Sequence, residues 1–165
     1  TTIDFNSTYV TATHDSYELH IMGAYPSAHL GDVTMSFSYN NGTNFYNFSW
    51  GSFHRQFDGT NFVYLGNSSS GRTPNDTTWN IGGGGYGGTT DSSFGGIVRM
   101  TNMNAVGTEF SHGDSLITYP HSANAAYGTY SSYYMDQASG RVNFIRLTST
   151  QTITSGVFKL YGRVA

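Results

Sequence analysis

Between Asp32 and Tyr39 the chain alternates without a break: Val33, Met35, Phe37 and Tyr39 are apolar, while Thr34, Ser36 and Ser38 carry hydroxyls. A period of two places the apolar set on one face and predicts a half-buried strand. Asn40-Asn41-Gly42 then supplies residues that tolerate positive φ, and Phe45 to Trp50 resumes an aromatic run, so the pattern predicts a hairpin. Upstream, Tyr17, Leu19 and Ile21 alternate with Glu18, His20 and Met22 as another strand, and Pro26 and Gly31 bracket the connection that follows.

Further along, Asp58-Gly59 marks a turn, Asn61 to Leu65 a short strand, and Gly66 to Thr78 a polar segment. Strand patterns return near Trp79 to Ile81, Gly96 to Met100 and Ser115 to Tyr119. Tyr127 to Met135 and Gly140 to Leu147 flank Asp136-Gln137-Ala138-Ser139 and predict a second hairpin. The last strand runs from Val157 to Val164, with Phe158, Leu160 and Val164 set against Lys159, Tyr161 and Arg163. About eight to ten short strands with frequent turn signals predict a sandwich or barrel, one domain over residues 1–165.

Composition agrees. Two Glu, one Lys, six Leu and 21 Gly leave little to sustain a long helix. The hydrophobic fraction is only 37%, but aromatics are 16%, and rings bury large areas, so they are expected to build much of the core. Net charge is -3, and the six Arg and single Lys are scattered, so no nucleic-acid partner is expected. There is no Cys to form disulfides or thiolate metal sites. No apolar run approaches the ~20 residues of a membrane span, and no charged-then-apolar leader opens the chain, so a soluble protein is expected. Five Asn-x-Ser/Thr triplets, at Asn6, Asn41, Asn47, Asn67 and Asn75, add little in a chain so rich in Asn, Ser and Thr.

Several constellations hold candidate chemistry. Gly82 to Gly87 matches G-x-G-x-x-G, but Thr89-Thr90-Asp91-Ser92-Ser93 follows without helical periodicity, so a surface loop is expected in place of a nucleotide site. Ser111 beside His112-Gly113-Asp114 has the residue types of a hydrolytic triad, yet neighbours in a turn rarely converge, and Gly-Asp is ordinary turn chemistry. The six His lack zinc-motif spacing; Glu18 and His20, on one strand face, form the one conceivable metal pair, and no metal or cofactor is expected. Acids such as Asp32, Asp58, Asp76, Asp91 and Asp136 sit in turn contexts, where they hold loop backbone. Ala125 to Tyr134 combines Tyr with Ser and Gly, the composition of binding surfaces. In a strand Tyr127 and Tyr133 share one face and Tyr130 and Tyr134 the other, so the first pair is expected in the core and the second exposed. Trp50 and Trp79 are expected in the core.

Four stretches, in order, resemble a domain found at the ends of tail fibres and on other virion-surface proteins of tailed phages. They are Tyr17 to Ile21, Val33 to Tyr46, Gly140 to Phe144 and Ile153 to Gly162. The resemblance implies a jelly-roll-like β-sandwich, often a homotrimer, displayed on a particle and used in attachment or decoration, with no catalytic residues to carry over. The segment from about Gly66 to Asp114 departs from that pattern. The expectation is a non-enzymatic virion-surface protein, fibre tip or head decoration, whose partners are itself, other virion proteins and a host surface glycan. Tyr86, Tyr130 and Tyr134 are the candidate stacking residues, and Arg72, Asp91 and Asn124 the candidate polar contacts. A cement protein binding only capsid protein and a small carbohydrate-active hydrolase are the competing readings.

Overall fold

The computed structural model describes residues 1–28, 31–57, 60, 62–64, 76–82, 93–106, 110–122, 125–136 and 140–164. Within them lie eleven strands and no helix: β1 (Thr2–Phe5), β2 (Ser16–Pro26), β3 (Val33–Ser38), β4 (Phe48–Phe57), β5 (Phe62–Tyr64), β6 (Trp79–Gly82), β7 (Phe94–Thr101), β8 (Phe110–Ser122), β9 (Ala125–Asp136), β10 (Phe144–Ser149) and β11 (Ile153–Arg163). They form two antiparallel sheets, a small one in the order β1-β10-β3-β6 and a large one in the order β11-β2-β7-β8-β9-β4-β5.

The order is that of a jelly roll with an insertion. If the meander β7-β8-β9 is taken as one position and β11 is set aside, the small sheet holds the first, eighth, third and sixth positions. The large sheet then holds the second, seventh, fourth and fifth, the arrangement produced by two interlocked Greek keys. Three strands replace one without reversing polarity, because an odd number keeps both flanks, β2 and β4, antiparallel to the meander.

Both expected hairpins are replaced by crossings between sheets. The turn after β3 forms as read, with Asn41 at φ 57° and Gly42 at φ 89°. It closes with one bridge, Ser38 to Phe45, and the Tyr46 N–H donating to the Phe37 carbonyl at 2.9 Å. The chain then leaves for the large sheet, where β4 pairs with β9 and β5. Tyr46 anchors the crossing: it is buried, packs on the Tyr39 ring and donates its hydroxyl proton to the Gly140 carbonyl. Likewise β9 pairs with β8 and β4, whereas β10 lies in the small sheet between β1 and β3. Local turn chemistry is the same for a hairpin and a crossing; the choice rests on which sheet each strand's apolar face completes.

The core lies between the sheets. Val33, Met35, Phe37, Ile145 and Leu147 of the small sheet face Leu19, Ile21, Val98, Met100 and Ile117 of the large one. At its centre Trp79 meets Tyr133 with ring centroids 4.4 Å apart, and Phe37 approaches the same ring at 5.3 Å. Trp79 is fully buried as expected, whereas Trp50 is half-buried and donates its Nε1–H to Asp76 at 3.2 Å.

Around Tyr133 the inner face of β8 and β9 holds small residues, because these rings occupy the space above it. Ser111, Ser115 and Ser131 are buried, and each has a partner: Ser131 accepts from the Trp79 indole at 2.8 Å, Ser115 donates to the Ile81 carbonyl at 3.0 Å, and Ser111 shares a 2.9 Å hydrogen bond with the Tyr133 hydroxyl. Burial raises the Tyr133 phenol far above its ordinary pKa and keeps it neutral. A Cβ at Gly113 would run into the Arg99 carbonyl oxygen and the Tyr133 ring. Gly113→Ala is therefore expected to cost about 2–4 kcal/mol by forcing β7 and β8 apart, measured as a lower urea midpoint with an unchanged slope.

Candidate functional site

Strand alternation gives the large sheet an outer face that no other described element covers. From β9 it receives Tyr130 and Tyr134, 37% and 53% exposed, while Tyr127 and Tyr133 point inward at 5% and 4%. The expected division of the four tyrosines is the one observed. From β8 the outer face takes Phe110, His112, Asp114, Leu116 and Thr118, since Ser111, Ser115, Ile117 and Tyr119 are buried.

Cross-strand register arranges these side chains in rows perpendicular to the strands. One row runs Phe53, Tyr130, Leu116, Ile97, His20 and Lys159 across β4, β9, β8, β7, β2 and β11. It is apolar over its first four positions, with the Phe53 and Tyr130 rings 5.0 Å apart. Beyond it lies the row Gly51, Ser132, Asp114, Arg99, Glu18 and Tyr161. Tyr134 stands next to His112 in the row after that and meets the Phe110 ring at 5.5 Å.

On the opposite side of the apolar row the sheet is nearly bare. Gly95, Thr118 and Gly128 are register partners, so three adjacent strands carry a single side chain between them. A shallow depression of about 390 Å³ takes in Gly95 and Thr118 of this row and extends to Gly23, Ser93 and Ala126, with Phe94 and Tyr119 also lining it. Its β2 side is shaped by a bulge between Ile21 and Ala24, where Gly23 takes φ 55°. At the β4 end stands Arg55, the register partner of Gly128, with its guanidinium 5.7 Å from the Phe53 ring centroid.

The charged groups of this face form a network around Glu18. Its carboxylate accepts from His20 at 3.2 Å and from Arg163 at 2.5 Å and lies 3.9 Å from Arg99, which also pairs with Asp114 at 3.0 Å. The His20 hydrogen bond, helped by Arg163 and Arg99, holds the Glu18 carboxyl below the usual carboxylate range. Other described acids are also engaged: Asp4 is bidentate to Arg146, Asp32 accepts from Asn80, and Asp76 caps Thr78. Among the described residues no three His, Asp or Glu gather as a metal site.

Four of the six expected contact residues, Tyr86, Arg72, Asp91 and Asn124, lie outside the described residues; Tyr130 and Tyr134 lie on the outer face. The triad types at 111–114 lie in the first part of β8 and not in a turn: Ser111 faces the core while His112 and Asp114 face outward. Asp114 acts as the cross-strand partner of Arg99, not as turn chemistry. Phe53, Leu116, Ile97, Phe110 and Arg55 were not anticipated. Alternation over 110–118 was available to find two of them, Phe110 and Leu116, but the buried phase there is Ser, Gly and Ser, which reads as the solvent phase. In comparisons with protein-family models, curated proteins and solved structures, nothing matches the chain.

Because its folded pKa is depressed, Glu18 contributes stability that is present above its unfolded pKa and is lost as pH falls through the folded one. Glu18→Gln is expected to lose about 1 kcal/mol at pH 7, limited by the solvent exposure of both arginines. The gap to the parent should close at a pH below the carboxylate range, as read by thermal melts across pH.

Proposed function

We propose that the chain is a non-enzymatic virion-surface domain of a tailed phage, fibre tip or head decoration, that recognises a host surface glycan through the outer face of the large sheet. The observation that carries this reading is the pair Tyr130 and Tyr134, exposed in mid-strand on a seven-stranded scaffold and flanked by Phe53 and Phe110. Such rings are ordered before binding, so they offer flat apolar area with little further entropy to lose, while their hydroxyls are free to meet a sugar. The resemblance to phage tail-fibre and virion-surface domains supports the setting, and with it self-association as a homotrimer and contact with other virion proteins.

A second reading, a decoration protein that binds only capsid protein, draws on Leu116 and Ile97, aliphatic side chains of the same face that have no sugar-stacking surface. A glycan array separates the two. Positive signals that Tyr130→Ala with Tyr134→Ala reduces about tenfold, with the melting temperature unchanged, are expected on the glycan reading. Absence of any glycan signal, together with binding to purified capsids, would establish the other.

A further inference from the structure

We propose that the ligand of this face is an acidic oligosaccharide, seated across the strands in the bare trough of Gly95, Thr118 and Gly128, with Arg55 and Lys159 answering its negative charge. The inference rests on the glycan reading and specifies its substrate class.

Two observations carry it. Charge is the first. The chain as a whole is acidic, at -3, yet among the described side chains this face carries Arg55, Arg99, Lys159 and Arg163 against only Glu18 and Asp114. Glu18 and Asp114 are already matched by Arg163 and Arg99. That leaves Arg55 and Lys159, which pair with no carboxylate among the described residues. Four of the seven Lys and Arg thus share one surface of an acidic molecule; of the two spare charges, Arg55 is the register partner of Gly128, and Lys159 stands two strands beyond β7 in the adjoining row. A neutral ligand would leave both charges unmatched; an anionic one is drawn to them and completes the balance.

Shape is the second. The trough crosses β7, β8 and β9, about 14 Å at ordinary strand spacing. One of its sides is the Phe53, Tyr130, Leu116 and Ile97 row, and Arg55 stands at its β4 end. A chain of a few sugar rings laid across the strands would place apolar ring faces against that row and bring its acidic groups within reach of Arg55 at one end and Lys159 towards the other. Gly128 leaves room for this: a Cβ there would meet only the Thr118 methyl group, at 4.0 Å, whereas one at Gly95 would press on the Ile21 carbonyl oxygen of β2.

The test uses the full chain and two probes of equal length, an oligogalacturonate and an uncharged malto-oligosaccharide, with a single-stranded oligothymidylate of matched charge as a polyanion control. The oligogalacturonate is expected to bind, to weaken about tenfold between about 0.05 and about 0.5 M NaCl, and to weaken about fivefold for each of Arg55→Glu and Lys159→Glu. Arg55→Gln and Lys159→Gln should give smaller losses of the same sign, and both sites of change are exposed, so melting temperatures should hold. Malto-oligosaccharide binding of equal strength, indifferent to salt and to these changes, would sink the charge assignment and leave glycan recognition standing. Equal capture of the oligothymidylate would also overturn it, as unspecific polyanion adhesion. Binding of no saccharide, acidic or neutral, would end both.

Discussion

Two large rings, Trp79 from the small sheet and Tyr133 from the large one, meet at 4.4 Å between the layers, and the space they need dictates what surrounds them. Residues on the facing strands must be small, yet small polar residues inside a protein must be hydrogen-bonded. Ser111 and Ser131 meet both conditions at once, bonding to the very rings that forbid anything larger. Gly113 meets the steric condition alone, because even a methyl group there would strike Tyr133 and the neighbouring strand. The aromatic-rich, aliphatic-poor composition of the chain is thus a working solution to packing two sheets.

The same inner arrangement frees the outer face. Extending a jelly roll by the β7-β8-β9 meander widens the large sheet to seven strands while the small one keeps four. With the small residues of β8 and β9 turned inward, their larger apolar partners, Leu116, Phe110, Tyr130 and Tyr134, are turned out. An exposed apolar row of this kind is costly on a monomer and commonly marks a surface that meets something. Its setting in mid-sheet gives any ligand a rigid platform, in contrast to recognition that relies on loops.

Electrostatics depends on tertiary structure in a way that composition conceals. Arg55, Arg99, Lys159 and Arg163 are spread over more than a hundred positions, and along the chain they form no cluster. Register brings them to one face, where Arg99 and Arg163 are matched by Glu18 and Asp114, and Arg55 and Lys159 pair with no carboxylate among the described residues. Among the described side chains this face of an acidic molecule carries four cations and two carboxylates, and a linear reading of scattered cations cannot reveal it.

Composition and period-two alternation by themselves determined the all-β class, the existence of the strands from β2 to β11, and which tyrosines of β9 turn inward, because side-chain direction in a strand is a local property of the backbone. Strand partners were not local. The turn at Asn41-Gly42 formed as its residues require, yet β4 went to the other sheet, since a turn sets the direction of the chain but not the edge on which its next strand finds a complementary face. The phase of β8 was equally hidden: Ser111, Gly113 and Ser115 look like the wet side, and only the presence of Trp79 and Tyr133 above them makes that side dry. Composition and periodicity therefore decided what each segment is, and the packing of the sheets decided what each segment touches, which is where the candidate site arises.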